Sequence, residues 1–307
     1  MGVCGRMKAA TAITPLLCAA RAAALIPPLS FSARRKGEHG KILVVGGSAE
    51  YTGAPFYAGS SSLLTGSDLC WVACAAGATA PLNTLSPELI VCGVIPDDPS
   101  SASAALSSLS AVLSRVHAVV VGPGLGRAPG ALAFAAALMA HATAERLPLV
   151  VDGDGLFLLS QNPHLLRGHT ACVLTPNAGE WERLEKLDLG AGLCVLKKGE
   201  ADSVVFTGTG GVPAAEVTGG GSPRRCGGTG DVLAGAVGTF LAWAAAGGHL
   251  GAERDPAGAL AAAACGGALL VRSAAATAFE GHRRATLAPH VLGALGTAFE
   301  ALWPAIP

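Results

Sequence analysis

An aspartate directly behind a glycine-rich turn is the feature of this sequence with the clearest chemical potential. The stretch RRCGGTGDVLAG, from Arg224 to Gly235, crowds three glycines into a turn and follows them with Asp231 and an apolar, helix-prone run. Backbone amides at a helix start have no intrahelical partners and carry partial positive charge, and glycine lets an anion approach them closely. The stretch therefore predicts an anion site. It is not a P-loop, because no Lys-Ser/Thr follows the glycines.

Asp231 has two interpretations at this position. As a helix cap it would contribute about 1 kcal/mol, and Thr229 could cap the helix equally well. As a general base it would take a proton from a substrate hydroxyl next to a bound phosphoryl group. Arg224 and Arg225, just upstream, could contact that phosphate. The spacing alone leaves both interpretations open.

Further polar or glycine-rich clusters follow short apolar runs. VVVGPGLGR places alternating glycines from Gly122 to Gly126, short of the dinucleotide fingerprint. VVDGDG places Asp152 and Asp154 at a predicted strand end, where a carboxylate could bind hydrated Mg²⁺ or merely close a turn.

Two more such clusters come later in the chain. LTPNAGEW brings Asn177 and Glu180 to the next predicted strand end, where Asn177 is also a natural helix cap. KKGEAD, residues 197–202, sets Lys198 and Asp202 around a glycine, a pattern that a hairpin turn also explains.

The elements that must position these residues follow from the hydrophobic pattern. Continuous apolar runs separated by alanine-rich segments of helical length, such as 129–146, predict a parallel sheet covered on both faces. Ligands then bind beyond the carboxyl ends of the strands. The predicted strands lie within 41–47, 69–75, 89–95, 117–126, 147–155 and 170–177, and each is an apolar run that stops at Gly, Pro, Asp or Asn. Short runs and turns over 193–221 predict an antiparallel edge, and helices are predicted to about 247, over 256–278 and near 288–303.

The composition of the 307-residue chain favours one large α/β domain. Hydrophobic residues make up 51% and charged residues 14%, against roughly 25% charged in ordinary domains, which indicates a heavily buried core. Lysine and arginine balance aspartate and glutamate, and no basic run is interleaved with aromatics, so a nucleic-acid partner is not expected. The nine cysteines and eight histidines form no zinc motif, and we expect buried, reduced thiols in an intracellular protein.

Two segments bear on membranes and targeting. Residues 232–252 lack charged side chains and are long enough to span a bilayer, but a buried helix fits their Ala/Gly composition better, and no membrane partner is expected. Residues 1–25 carry Arg6, Lys8 and Arg21 but no acid, which resembles a transit peptide more than a membrane anchor and is also compatible with an untidy translation start. They are therefore set apart as a targeting or disordered segment, ahead of a domain over 26–307. The expected location is the cytoplasm, a mitochondrion or a plastid.

Taken in order, these motifs resemble the eukaryotic ATP-dependent NAD(P)H-hydrate dehydratases, a branch of the ribokinase-like superfamily. The matching pieces are IPPLS, GKILVVGGSAEYTGAPFYAG, SPELIV, HAVVVGPGLGR, LVVDGDGLFLL, VLTPNAGEWERL, KKGEAD and GSPRRCGGTGDVLAG. They extend from about residue 26 to 242 in the order of the family.

The resemblance implies a three-layer α/β/α fold and a lyase that repairs damaged nicotinamide cofactors. The substrate would be the S epimer of hydrated NADH or NADPH, and ATP would phosphorylate its ring hydroxyl so that phosphate can leave. The resemblance further implies Mg²⁺ carried by ATP, with no metal ligands of the protein's own, and a functional partnership with an NAD(P)HX epimerase. A homo-oligomer is compatible with it.

The resemblance also assigns site residues. Asp231 would be the base. The positions matching the hydrate site are Gly126, Asn177, Ala178, Gly179, Glu180, Trp181, Glu182, Arg183 and Asp231. The positions matching the ATP site are Lys198, Gly199, Glu200, Ala201, Asp202, Gly221, Ser222, Pro223, Arg224, Arg225, Cys226, Gly227, Gly228, Thr229 and Gly230.

This sequence departs from the family pattern mainly between Leu184 and Gly192. The family has an additional helix there, so either a wall of the pocket is trimmed or the sequence is an imperfect gene model. Trp181, Gly153 and Thr229 replace the usual Phe, Ala and Gln. Two other functions fit part of the pattern: a ribokinase-like kinase of a small molecule such as a vitamin alcohol, and a non-catalytic nucleotide-binding relative.

Overall fold

A mixed nine-stranded sheet runs through the part of the chain that the computed structural model describes, residues 15–29, 36–251 and 253–304. Its strands are β1 (Lys41–Val45), β2 (Leu69–Ala75), β3 (Leu89–Ile95), β4 (Ala118–Val121), β5 (Leu149–Val151), β6 (Cys172–Leu174), β7 (Cys194–Lys197), β8 (Asp202–Phe206) and β9 (Ala215–Val217). The helices are α1 (Pro15–Ala23), α2 (Gly53–Thr65), α3 (Ala76–Leu85), α4 (Ala102–Ser108), α5 (Ser110–Leu113), α6 (Pro129–Glu145), α7 (Gly153–Gln161), α8 (Ala178–Leu184), α9 (Thr229–Ala246), α10 (Pro256–His282) and α11 (Ala288–Leu302).

The strand order is β3-β2-β1-β4-β5-β6-β7-β8-β9, and every neighbouring pair from β3 to β7 is parallel. Strands β8 and β9 run antiparallel at the edge. The predicted fold class, a mostly parallel sheet with an antiparallel edge and helices on both sides, is confirmed. Because β1 pairs with both β2 and β4, the chain reverses direction across the sheet between β1 and β4. At such a point the loops after the two strands diverge and leave a crevice for a ligand.

Alternation along the strands divides the core into two layers. In β1, Ile42 and Val44 join the cluster beneath α2, α9, α10 and α11, whereas Leu43 and Val45 join the cluster beneath α6 and α7. All four side chains are fully buried. Side chains of a strand point alternately to opposite faces, so a run that is apolar at every position suits only a sheet covered on both sides.

Helices α9 and α10 are apolar all round because they lie in the larger of these two layers. Both are long and apolar enough to cross a membrane, yet 72% and 78% of the residues in their most apolar windows are buried inside the protein. The segment predicted as a buried helix thus forms α9 from Val232 to its end at Ala246. A helix without a polar face fits the interior of an α/β domain.

Residues 15–25 pack against the rest of the described chain. Cys18 and Ala22 on α1 are buried in the same cluster as α10, and the Trp303 indole nitrogen donates a hydrogen bond of 3.1 Å to the Ala19 carbonyl oxygen. The structure thus places this part of the predicted 1–25 segment inside the domain, ahead of the predicted boundary at residue 26. The rest of that segment, residues 1–14, lies outside the described residues.

The short connection after α8 is packed against the sheet. Strands β6 and β7 are parallel, so this connection is a crossover, and it carries α8 without the additional helix expected of the family. Leu184, Leu189 and Leu193 are nearly fully buried in the second core layer. The shortened crossover therefore closes the core.

The approach of α9 to α2 provides a stability test. A Cβ on Gly235 would overlap the Ala58 carbonyl oxygen, whereas a Cβ on Gly293, an exposed glycine of α11, would meet nothing within 4 Å. We expect Gly235→Ala to lower the free energy of unfolding by about 1–3 kcal/mol through overpacking. Gly293→Ala, the matched control, should raise it by about 0.5–1 kcal/mol through helix propensity. Urea denaturation measures both, and equal stability of the two variants would contradict the packing described.

Candidate active site

The glycine-rich turn opens α9 as predicted. Gly228 is the N-cap residue with a left-handed φ of 94°, and an added Cβ there would press on Ala288 and on the ring of Tyr57 at 2.7–2.9 Å. The first helical hydrogen bond runs from the Val232 amide to the Gly228 carbonyl, at 3.0 Å. The amides of Thr229, Gly230 and Asp231 therefore have no helix carbonyl as a partner, and the Asp231 amide interacts with its own carboxylate. A Cβ on Gly227 would meet nothing within 4 Å, so an anion has room to approach.

Neither Asp231 nor Thr229 caps this helix. The cap is a glycine without a side-chain hydrogen bond, and Thr229 is the first helical residue, with its hydroxyl 3.2 Å from the Cys226 sulfur. Asp231 is the third helical residue and lines a cavity. The capping interpretation of either residue is wrong, and the carboxylate remains available for chemistry.

The Asp231 carboxyl holds its proton unusually tightly. Burial raises its pKa to about 7, and the negative charge of Asp152 adds to the rise. The ammonium of Lys198 and the backbone amide of Asp231 itself act in the opposite direction. A carboxylate poised near neutrality can accept a proton at physiological pH and is a candidate general base.

An ion pair at the strand ends lies next to this carboxylate. The Lys198 Nζ, after β7, is 2.8 Å from the Asp152 Oδ1, after β5, and both side chains are largely buried. Burial by itself lowers the pKa of Lys198, but Asp152, Glu180 and Asp231 together raise it above its ordinary value. The lysine is therefore held charged in a pocket of carboxylates.

A first cavity, of about 640 Å³, opens over the crevice between β1 and β4; we call it cavity A. It is lined by Tyr51, Ala54, Pro123, Gly124, Gly126, Arg127, Gly153, Asp154, Leu156, Phe157, Ser160, Glu180, Arg183 and Asp231. Of the residues assigned to the hydrate, Gly126, Glu180, Arg183 and Asp231 lie here. Tyr51, Arg127 and Phe157 were not predicted.

Arg127 forms a fixed cationic wall of cavity A. Its guanidinium lies 3.9 Å from the centre of the Phe157 ring, and its Nε is 3.3 Å from the Asp154 Oδ1. The other Asp154 oxygen accepts a hydrogen bond of 2.9 Å from the Gly126 amide. The loop after β4 is thereby tied to α7, with a positive charge facing the cavity.

A second cavity, of about 660 Å³, lies on the other side of the α9 N-terminus; we call it cavity B. The residues assigned to ATP that line it are Lys198, Gly199, Glu200, Asp202, Gly221, Ser222, Arg224, Arg225, Cys226, Thr229 and Gly230. Ala201, Pro223, Gly227 and Gly228 lie in the same loops but outside the lining. Leu233, Ala268, Val271, Arg272, Ala275 and Val291 complete the wall with a mostly apolar surface.

The residues from Asn177 to Arg183, which were assigned together to the hydrate, lie in different places around α8. Asn177 and Ala178, assigned to the hydrate, line cavity B. Asn177 also caps α8: its Oδ1 accepts from the Glu180 amide at 3.0 Å, and the Glu180 Oε2 accepts from the Asn177 amide at 2.8 Å. Gly179 and Glu182 line neither cavity. Trp181 faces away, with its ring under the Lys197 ammonium at 5.5 Å, because it packs against the second core layer.

Arg272 on α10 organises cavity B and was not predicted. Its guanidinium is 3.4 Å from the buried carboxylate of Asp202 and donates to the carbonyls of Glu200, at 2.6 Å, and Gly219, at 2.7 Å. Its own carbonyl accepts from the Gly221 amide at 2.7 Å. One residue therefore connects the loop after β7 with the loop that precedes α9. The sequence feature that could have revealed Arg272 is its position as the one arginine in an alanine-rich helix.

The two carboxylates that the sequence offered for hydrated Mg²⁺, Asp152 and Asp154, are both engaged in ion pairs. Among the described residues, no group of three or more His, Cys, Asp and Glu side chains could hold a metal ion. Asp152 and Asp154, the carboxylates with the appropriate strand-end position, are paired with Lys198 and Arg127 instead.

Comparison with known proteins gives one family. The family model described as NAD(P)H-hydrate dehydratase matches residues 42–296. A protein of Ixodes scapularis named ATP-dependent (S)-NAD(P)H-hydrate dehydratase is 39% identical, over 91% of this chain and 93% of its own. The Homo sapiens protein of the same name is 37% identical, over 91% of this chain and 82% of its own.

Solved structures share the fold. A hypothetical protein of Streptococcus mutans superposes with a TM-score of 0.72 at 20% identity, covering 92% of this chain and 98% of its own. The ADP/ATP-dependent NAD(P)H-hydrate dehydratase of Bacillus subtilis, co-crystallised with ATP and Mg²⁺, superposes with a TM-score of 0.65 at 20% identity. It covers 98% of this chain and 100% of its own.

The role of Arg272 can be tested directly. Arg272→Ala leaves the buried Asp202 carboxylate without its cation and releases both loops of cavity B, so we expect ATP affinity to fall at least about tenfold. Isothermal titration with a non-hydrolysable ATP analogue measures this. Arg284→Ala, at an exposed arginine that lines neither cavity, is the control and should bind as the parent does. Parent-like affinity of folded Arg272→Ala would show that the loops hold cavity B without it.

Proposed function

The chain belongs to the NAD(P)H-hydrate dehydratase family, and we propose that it performs the ATP-dependent reaction with Asp231 as its base. The reaction removes water from the S epimer of hydrated NADH or NADPH and restores the reduced cofactor. The chain is thus an ATP-dependent hydro-lyase of nicotinamide cofactor repair.

The observation that carries the mechanism is the meeting of two cavities at one helix turn. Asp231 lines cavity A, while the preceding Thr229 and Gly230 line cavity B. A nucleotide in cavity B would direct its terminal phosphate at the free amides of α9, and an alcohol in cavity A would face Asp231. Donor and acceptor would then be in position for direct transfer.

The reaction needs two chemical steps because phosphate is a much better leaving group than hydroxide. Asp231 takes the proton of the ring hydroxyl while the hydroxyl oxygen bonds to the γ-phosphorus, and the bond from that phosphorus to the bridging oxygen breaks to give ADP. The ring-nitrogen lone pair then expels phosphate, where hydroxide would leave poorly. Loss of a proton from the neighbouring ring carbon restores the double bond of NAD(P)H.

The remaining residues would bind and orient the two substrates. Phosphoryl transfer needs little covalent help from the protein, so positioning and electrostatics dominate. The α9 amides would hold the transferring phosphoryl group, and Arg224 and Arg225 lie at the rim of cavity B to contact phosphate. The Arg272-bound loops would shape the nucleotide pocket. Mg²⁺, when bound with ATP, would screen the phosphate charges.

The decisive assay supplies hydrated NADH, ATP and Mg²⁺ and follows the return of reduced-nicotinamide absorbance. We expect recovery that depends on ATP in the parent protein. Asp231→Asn should abolish turnover while ATP binding stays nearly intact, because the amide keeps the shape and loses the base. Binding of ATP without recovery in the parent would favour the non-catalytic relative, and full activity of Asp231→Asn would remove Asp231 from the mechanism.

The raised pKa of Asp231 also has a consequence for stability. Below its ordinary pKa the side chain is protonated in both the folded and the unfolded states. Above about pH 7 both states are ionised, and the folded state then carries the full penalty of the buried charge. We therefore expect Asp231→Asn to raise Tm relative to the parent at pH 8 and to leave it nearly unchanged at pH 4. A gain of equal size at both pH values would show that Asp231 is not held protonated by the fold.

A further inference from the structure

The ion pair between Lys198 and Asp152 lies against the first turn of α9. A methyl group on Gly230 would be 3.5 Å from the Lys198 Nζ and 3.9 Å from the Asp152 Oδ2, and Gly230 immediately precedes Asp231. The pair bridges the ends of β5 and β7 across β6, with its own N–O distance of 2.8 Å. One positive and one negative charge therefore stand beside the base at a fixed position.

The other charges around Asp231 are engaged elsewhere. Those on the elements that line the same cavity are Arg127 after β4, Asp154 on α7, and Glu180 and Arg183 on α8. Arg127 and Asp154 pair with each other. Glu180 accepts from the Asn177 amide, and the Arg183 Nε donates to the Gly179 carbonyl at 3.1 Å.

We propose that Lys198 and Asp152 are positioning residues that set the proton affinity of Asp231 from opposite directions. Lys198 favours the ionised base, and Asp152 opposes it. Asp152 also holds the lysine near the base. Without the lysine the carboxyl group would stay protonated, and without Asp152 it would be too acidic to accept a proton readily. This inference rests on the proposed function, since it assigns a role to residues around the proposed base.

The test compares pH profiles of kcat/KM for hydrated NADH at saturating ATP. The acid limb of the parent should lie near pH 7. Lys198→Met removes the stabilising charge and should shift the limb upward by about one pH unit, while Asp152→Asn should shift it downward by about one unit. Lys198→Arg, the matched control, keeps the charge and should leave the limb in place. A purely structural role would reduce stability in these variants without moving the limb.

A second measurement, of Tm, tests the proposal in variants whose turnover is too slow to assay. Asp231→Asn is introduced into the parent, the Lys198→Met and the Asp152→Asn backgrounds, and the change in Tm is measured at pH 5 and pH 9. The stabilisation at pH 9 should be larger without the lysine and smaller without the aspartate. Equal stabilisation in all three backgrounds would overturn the proposal. A parent without ATP-dependent recovery would instead contradict the proposed function, so the two failures are distinguishable.

Discussion

The close approach of α9 to α2 and the sheet is the constraint on which the site depends. Gly235 faces the Ala58 carbonyl, and a Cβ on Gly238 would come within 2.7 Å of Val120 on β4. A larger side chain at either position would push the helix outward. The turn that precedes α9 would then lose its alignment with the ends of β5 and β7, where Asp152 and Lys198 stand. The glycine and alanine content of this helix thus fixes the position of the reactive turn.

The structure concentrates its buried charge at that same end of the sheet. Only 14% of the residues are charged, yet three charged side chains there are buried or nearly so: Asp152 after β5, Asp202 at the start of the antiparallel β8, and Arg272 of α10. Each of these has an opposite charge within 3.4 Å. Buried charges persist when they are paired, because desolvation is then offset by the partner and its hydrogen bonds. Asp231 differs, since burial and the neighbouring Asp152 both disfavour its ionised form. Such a carboxylate lowers stability at high pH, and its raised pKa suits proton transfer near neutral pH.

The sequence predicts much of the fold because its strands are apolar throughout. Strands β2 and β3 have the predicted bounds, and β4 ends at Val121, directly before the glycine turn that was predicted to stop it. Gly122 ends it with a φ of 120°, and a Cβ there would collide with the Asp152 carbonyl oxygen. The glycines predict this turn, but its contact with the neighbouring strand end is a tertiary effect that the hydrophobic pattern cannot show.

The site was predicted where glycine-rich motifs mark it and missed where only folding assembles it. Residues of the turn before α9 and of the KKGEAD loop line cavity B together, and their assignment to ATP stays a prediction. Arg272 and Arg127 escaped prediction because their roles depend on contacts with segments distant in the chain, and Arg272 lies in a helix that looked like uniform core. The hydrate assignment of Asn177 remains a prediction, and its side chain is engaged in the cap of α8.

The geometry of α8 explains why the shortened crossover need not alter the site. The capping box fixes the start of this helix, so that Asn177 and Ala178 face cavity B while Glu180 and Arg183 face cavity A. The helix thereby forms a wall between the two cavities. Its opposite side carries Trp181, which borders a separate groove of about 550 Å³ formed with the shortened segment and the antiparallel edge. Neither cavity A nor cavity B is lined by any residue between 184 and 197. The missing helix therefore changes a surface behind α8, on the side away from the turn where the two substrates would meet.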